Sequence, residues 1–203
     1  MAVLVFPTIR DNYLYSGSAG TNYGTTTTMR AGRDASTGFV CRAIMTFDLT
    51  PLIGHTVALA KLRMNVTVAG GTQACTLYRV TQPAWSEIWS TWNNYTLGTK
   101  WDASGGDYTD VDAAAIELPA AAGIITFPLE TLTQDAITSR SGLLHLLLKR
   151  TVEAGVTQLH TIATRESADG PLLEVITDGL PTLRRCGRFA PSWKRPEQFR
   201  HAY

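Results

Sequence analysis

Short runs of branched and aromatic residues, bounded by Gly, Asn, Asp and Pro, recur along most of the chain, while apolar residues at helical spacing are scarce. The runs predict strands near residues 3 to 6, 9 to 14, 26 to 31, 39 to 48, 56 to 68, 74 to 81, 123 to 128, 142 to 149, 158 to 163 and 172 to 177. Alternation within them turns Phe47, Leu62, Met64, Leu77, Val80, Leu146 and Leu148 toward a common interior. Two segments read as short helical turns: 48 to 53, where Pro51 follows a polar start, and 129 to 137. Strand number and spacing predict an all-β fold, a single antiparallel jelly-roll β-sandwich of about eight to ten strands.

The long stretch from residue 82 to 122 interrupts this regularity and carries Trp85, Trp89, Trp92, Tyr95, Trp101 and Tyr108. A connection of that length is either functional or packed on itself. Its core, Trp85-Ser86-Glu87-Ile88-Trp89-Ser90-Thr91-Trp92-Asn93-Asn94, stands in order with Asp11-Asn12-Tyr13-Leu14, Thr21-Asn22-Tyr23-Gly24, Arg42 to Leu49, Thr76 to Val80, Thr164-Arg165-Glu166-Ser167 and Pro171 to Val175. In joint order and spacing these motifs resemble the DNRLRE module over residues 9 to 178. The resemblance implies a non-catalytic jelly-roll sandwich similar to carbohydrate-binding modules, of a kind found in bacterial extracellular proteins and in phage structural proteins. It also implies that Trp85 and Trp92 are scaffold residues of the core. Trp89, Tyr95 and Trp101 depart from the pattern, Trp101 within an insertion, and are the candidate glycan-binding residues: an exposed ring stacks on a pyranose while nearby amides bind its hydroxyls.

Charge divides the chain. Residues 181 to 203 hold six basic groups against Glu197, a charge of +5, whereas the preceding residues hold 12 basic and 16 acidic groups, a charge of −4. Pro181, Pro191 and Pro196 deny this tail a strand ladder. The expected division is therefore a sandwich over 1 to 178 and an extended C-terminal arm over 179 to 203. Arg184, Arg185, Arg188, Phe189, Trp193, Phe199 and Tyr203 of the arm are candidate partner-docking residues, since Arg and aromatic anchors dominate interface hot spots. An acidic body with a basic arm argues against a nucleic-acid-binding fold. No apolar run approaches membrane-spanning length, and the N-terminus lacks the features of a signal peptide.

Candidate chemistry is sparse. Gly-x-Ser-x-Gly and P-loop patterns are absent, and His55, His145, His160 and His201 fall in unrelated contexts. Paired carboxylates for glycoside hydrolysis would have to come from Asp48, Glu87, Asp102, Asp107, Asp110 and Asp112, none with an evident partner. Cys41, Cys75 and Cys186 lack metal or redox spacing and read as free thiols. Asp11, Asn22 and Glu174 offer hard oxygens for a structural calcium ion, but no Asp-x-Asp cluster accompanies them, and capped turns with an edge ion pair explain them better. No catalytic residue, metal site or cofactor is expected.

Two functions follow. The first is a virion structural protein, a capsid decoration or a neck or tail component made in the host cytoplasm, docking through its arm onto other virion subunits and copies of itself. The second is a carbohydrate-binding module or adhesin that recognises a polysaccharide.

Overall fold

The computed structural model describes residues 3–155 and 157–178. Within these residues, twelve strands, all antiparallel to their neighbours, carry the fold. β1 (Leu4–Tyr15), β2 (Thr28–Arg33), β3 (Val40–Asp48), β4 (Thr56–Val68) and β5 (Gln73–Val80) form the first half. A two-stranded hairpin follows, β6 (Asn94–Thr96) and β7 (Thr99–Lys100). Then come β8 (Tyr108–Leu118), β9 (Gly123–Pro128), the helix α1 (Glu130–Ser139), β10 (Leu143–Arg150), β11 (Leu159–Ala163) and β12 (Leu172–Asp178).

All ten predicted strand windows are occupied, the first two merging into β1, and the 48 to 53 segment forms a single 3₁₀ turn at Thr50–Leu52. The stretch from 82 to 122 differs from expectation because it contains β8. Its Asp110, Asp112 and Ala113 to Ala115 have little intrinsic strand preference. β8 is held instead by its ladder with β5 and by the buried pair Ile116 and Leu118.

β1 pairs with β12 through Leu4–Pro7, then passes an irregularity between Thr8 and Arg10 and pairs with β3 through its second half. Since β12, β4, β11, β2 and β3 follow one another in hydrogen-bonded order, β1 closes the series. β10, β5 and β8 extend from the edge of β3 opposite β1, and β9 lies along β4 on the edge opposite β12. The result is an all-β antiparallel sandwich.

Its interior is built by period-two alternation: Cys41, Ala43, Met45 and Phe47 from β3, Leu144, Leu146 and Leu148 from β10, and Leu62, Met64 and Val66 from β4. One face of α1, with Leu132, Ala136 and Ile137, completes it. Cys41 and Cys75 are buried free thiols here, and burial pushes them up to about 12 and about 11, which keeps both protonated and inert. Cys186 and all seven proposed docking residues of the arm, Arg184, Arg185, Arg188, Phe189, Trp193, Phe199 and Tyr203, lie outside the described residues.

Candidate functional site

The runs in β3 and β10 are apolar on both faces, and the outward-facing Ile44 and Leu147 need a cover. The segment after β5 supplies it. Leu14, Ile44, Val80 and Leu147 form a second cluster with Trp85 and Trp101, flanked by Tyr78, Trp92, Tyr95 and Tyr108. The long connection is therefore largely a third layer over the sheet.

Trp85 is fully buried, as expected, with the Arg10 guanidinium 5.3 Å above its ring and bonded through Nη1 to its carbonyl at 2.7 Å. Trp101 corrects the expectation of an exposed ring. It is 4% exposed, and its Nε1–H donates to the Thr91 carbonyl at 2.9 Å. Its place in an insertion outside the resembled pattern set it apart from the scaffold, but the outward apolar face of the sheet takes it in. Trp92 also differs from expectation: it is half-buried, with Arg42 stacked 4.9 Å from its ring. Gly105 (φ 91°) makes that packing possible, because a Cβ there would meet the Trp92 ring at 2.8 Å.

Trp89, by contrast, is 48% exposed, beside the exposed Ile88. Tyr95 lies at the edge of the same turn. Its carbonyl accepts the Ser86 N–H at 2.8 Å, while its half-buried ring leans on Trp101 at 5.6 Å. Of the three rings expected to be exposed, Trp89 is about half exposed, Tyr95 is half-buried and Trp101 is buried.

The turn that presents Trp89 is held by a knot of hydrogen bonds. Ser90 N–H closes the turn onto the Ser86 carbonyl. The Ser90 carbonyl accepts from Asn12 Nδ2 at 2.9 Å and from Asn22 Nδ2 at 2.7 Å, which uses both of its lone pairs. Asn22 also donates to the Glu87 carbonyl at 2.6 Å. Asn12 Oδ1 accepts the Tyr13 and Tyr23 amides. Gly24 lies so close that a Cβ would sit 2.1 Å from the Glu87 carbonyl oxygen, so only glycine fits.

The Glu87 side chain ties the turn to the far end of the chain. Its carboxylate accepts the Asp11 amide at 2.8 Å and a two-pronged contact from Arg165, Nε at 2.8 Å and Nη2 at 2.6 Å. Arg165 also pairs with Glu166 at 3.0 Å. Asp11, fully buried, accepts the Arg165 amide and the Thr8 hydroxyl through Oδ2, while its Oδ1 has no partner among the described residues. Burial, reinforced by the charges of Glu166 and Glu87, pushes the Asp11 carboxyl up to about 7. The Glu87 hydrogen bonds raise the Arg165 pKa.

Asp11, Glu87 and Glu166 place carboxylate oxygens within 4.8 Å of one another, a spacing that could hold a divalent ion. The Arg165 guanidinium already bridges two of them. The three residues weighed for calcium do not assemble: Asp11 and Asn22 meet at Glu87, whereas Glu174 faces Lys61 and Val5 in the β12 ladders. Among the carboxylates weighed for catalysis, Asp48 bonds the Thr50 amide, and bonds to Thr50 lower its pKa. Asp107 accepts the Asp102 and Ala103 amides in a turn. Asp110 and Asp112 are exposed on β8.

A concavity of about 390 Å³ opens between α1, the start of β10 and the end of β5, with Arg79, Asp135, Arg140 and His145 in its wall. His145 is buried on β10 with its Nδ1 2.8 Å from Thr46 Oγ1, and no signal in the sequence points to the cleft beside it.

No curated protein matches the chain significantly. The sequence model of carbohydrate-binding module family 96 matches residues 3–105, the half that runs from β1 through the Trp85–Trp101 layer and includes Asp11, Asn12, Asn22 and Glu87 of the knot. The chain belongs to carbohydrate-binding module family 96.

Proposed function

We propose that this protein is a non-catalytic polysaccharide-binding module whose contact surface centres on Trp89, with Tyr95 and the exposed Ile88 at its margin. The observation that carries the reading is the exposure of Trp89 on a turn whose backbone is fixed by Asn12, Asn22 and Glu87. An indole face half open to solvent offers a stacking surface for a pyranose ring. The fixed turn means little conformational freedom is lost on binding, which raises affinity for a given contact area. Family membership supports the same reading, because such families are binding modules.

Affinity electrophoresis in gels containing soluble polysaccharides, with pull-down on insoluble ones, tests it. The wild type should be retarded by at least one polysaccharide, and Trp89→Ala should lose that retardation while keeping its thermal midpoint. Retention unchanged in Trp89→Ala removes the site, and no retention across a broad panel removes the function.

One further observation favours a second reading. The +5 charge of residues 181 to 203 opposes the −4 of the rest, which suits a DNRLRE-type jelly-roll subunit of a virion that docks by its arm. On that reading, deleting residues 179–203 abolishes incorporation into particles. Normal incorporation of the truncated chain rejects it.

A further inference from the structure

The loop after β11 reaches across the chain to the turn that carries Trp89. β11 ends at Ala163, and the backbone is then fixed by the buried Thr164. The Thr164 hydroxyl donates to the Thr26 carbonyl at 2.6 Å and the Thr164 amide to the Thr27 carbonyl at 3.2 Å. Its own carbonyl accepts the amide and the hydroxyl of Ser167, at 3.0 Å and 2.7 Å, which closes a turn over 164–167. Gly170 folds back so closely that a Cβ there would meet Arg165 Cα at 2.8 Å. Arg165 therefore springs from an anchored backbone, with its amide on Asp11 at 2.8 Å.

The two side chains of this contact are unequally placed. That of Arg165 is 41% exposed, whereas the Glu87 side chain it grips is only 11% exposed. Glu87 Oε1 has a second donor in the Asp11 amide, but among the described residues Oε2 is bonded by Arg165 Nη2 alone. Asp11 and Glu166 bring two more carboxyl groups to within 4.8 Å, and Arg165 is the cation that bridges Glu87 and Glu166. Arg10, the other cation near Glu87, is engaged elsewhere, with Nη1 on the Trp85 carbonyl and its guanidinium over the Trp85 ring. Without Arg165, Glu87 becomes a nearly buried carboxylate among like charges, and its side chain must turn outward to find water. The backbone follows it. The Glu87 carbonyl takes the Asn22 amide at 2.6 Å, and Trp89 stands two residues on, in the turn closed between Ser86 and Ser90.

We propose that Arg165 is a positioning residue for the polysaccharide contact: acting through the Glu87 carboxylate, it holds the turn that presents Trp89 and does not itself touch the sugar. This inference rests on the polysaccharide-binding reading of the Trp89 surface. It has a consequence for the segment that the family match covers. Residues 3–105 carry the contact surface, but the clamp on it comes from residues 164–170 in the second half of the chain, so the matched segment alone presents Trp89 on a looser turn.

Hydrogen exchange of the full chain without ligand gives the first test. Arg165→Gln should quicken exchange at residues 86–90 by about tenfold or more, as expected for a lost charge-assisted pair, and leave β4 unchanged. Arg165→Lys keeps the charge but not the two-pronged fork, and should fall between that variant and the wild type. Affinity electrophoresis in hydroxyethylcellulose, xylan, galactomannan and pectin gives the second test. On those that retard the wild type, Arg165→Gln should weaken binding by about threefold or more. Combining it with Glu87→Gln should weaken binding no further than the poorer single variant does, because the two residues act as one unit. Additive losses would mean that Arg165 contacts the sugar directly. That result, unchanged affinity, unchanged exchange at 86–90 or equal quickening in β4 would each overturn the proposal while leaving the Trp89 surface standing. No retardation of the wild type by any of the four, or undiminished retardation of Trp89→Ala, would overturn that surface and its positioning residue together.

Discussion

The two faces of the β3–β10 sheet are both buried, but they are buried by different means. The inner face meets strands of the opposite layer and is packed by alternation alone, Phe47 and Leu146 against Leu62 and Met64. The outer face meets an irregular segment that cannot alternate, so Trp85 and Trp101 supply the apolar bulk while hydrogen bonds and stacked arginines supply the fit. An inner layer of this kind tolerates exchange of one aliphatic residue for another of similar volume. The outer layer depends on particular groups at particular positions, because much of its fit comes from directed bonds such as Trp101 Nε1–H to the Thr91 carbonyl and Asn12 Nδ2 to the Ser90 carbonyl.

The largest effects should show whether the outer layer is a true core. Phe47→Ala and Trp85→Ala should each lose roughly 3–5 kcal/mol of stability, since both side chains are fully buried. Urea denaturation measures this directly. A loss below about 1 kcal/mol for Trp85→Ala would make the outer layer a loosely laid loop rather than a core.

Next in size is the knot. Asn12→Ala strands the Tyr23 amide and removes one of the two donors to the Ser90 carbonyl, and should cost roughly 2–4 kcal/mol. Hydrogen exchange should quicken at residues 86–91 more than in β4. Uniform quickening across the sandwich would mean that the two faces unfold as one unit and the contrast between them is structural only.

How much of this was legible follows from the same contrast. Period-two runs mark the strands because one face of each is packed by alternation, but alternation says nothing of the cover that the structure lays over the outer face at 43 to 47 and 143 to 148. Nothing local said which rings would cover it, so Trp101 read as exposed and Trp92 as core. Asp11, Asn12, Asn22, Glu87 and Arg165 all stood in the ordered motif set, but that they meet at one turn is a matter of tertiary geometry. β8 left only Ile116 and Leu118 as a signal, too short a pattern to name a strand.

Asp11 gives a smaller effect with a defined sign. Its pKa is raised from 3.8 to about 7 on folding, so its contribution to stability is present below about 4 and is lost as the pH rises through about 7. His145 and His160, both lowered by burial, act in the opposite sense: their contribution is present above about 6.5 and lost as the pH falls. The wild-type profile mixes the two, so the informative quantity is the difference between Asp11→Asn and wild type. That difference should move in favour of the variant between pH 5 and pH 8, on the order of 1–3 kcal/mol. Equal offsets at both pH values would mean that Asp11 ionises in the folded protein as it does in the unfolded chain.

The smallest stability effect carries the most functional weight. Trp89 sits four residues from Trp85 in the same segment, yet the turn holds it through backbone groups of Glu87 and Ser90 rather than through its own ring. Trp89→Ala should therefore change stability by no more than about 0.5 kcal/mol, the range of an exposed substitution. Its binding consequence should be large, because a stacked ring lost from a rigid turn leaves nothing to take its place. Measuring both on one preparation separates the two tryptophans: Trp85→Ala should unfold the outer layer, and Trp89→Ala should leave it intact but unable to hold polysaccharide. If Trp89→Ala instead costs more than about 2 kcal/mol, the ring is part of the layer it stands on, and the contact surface must be sought elsewhere on the sandwich.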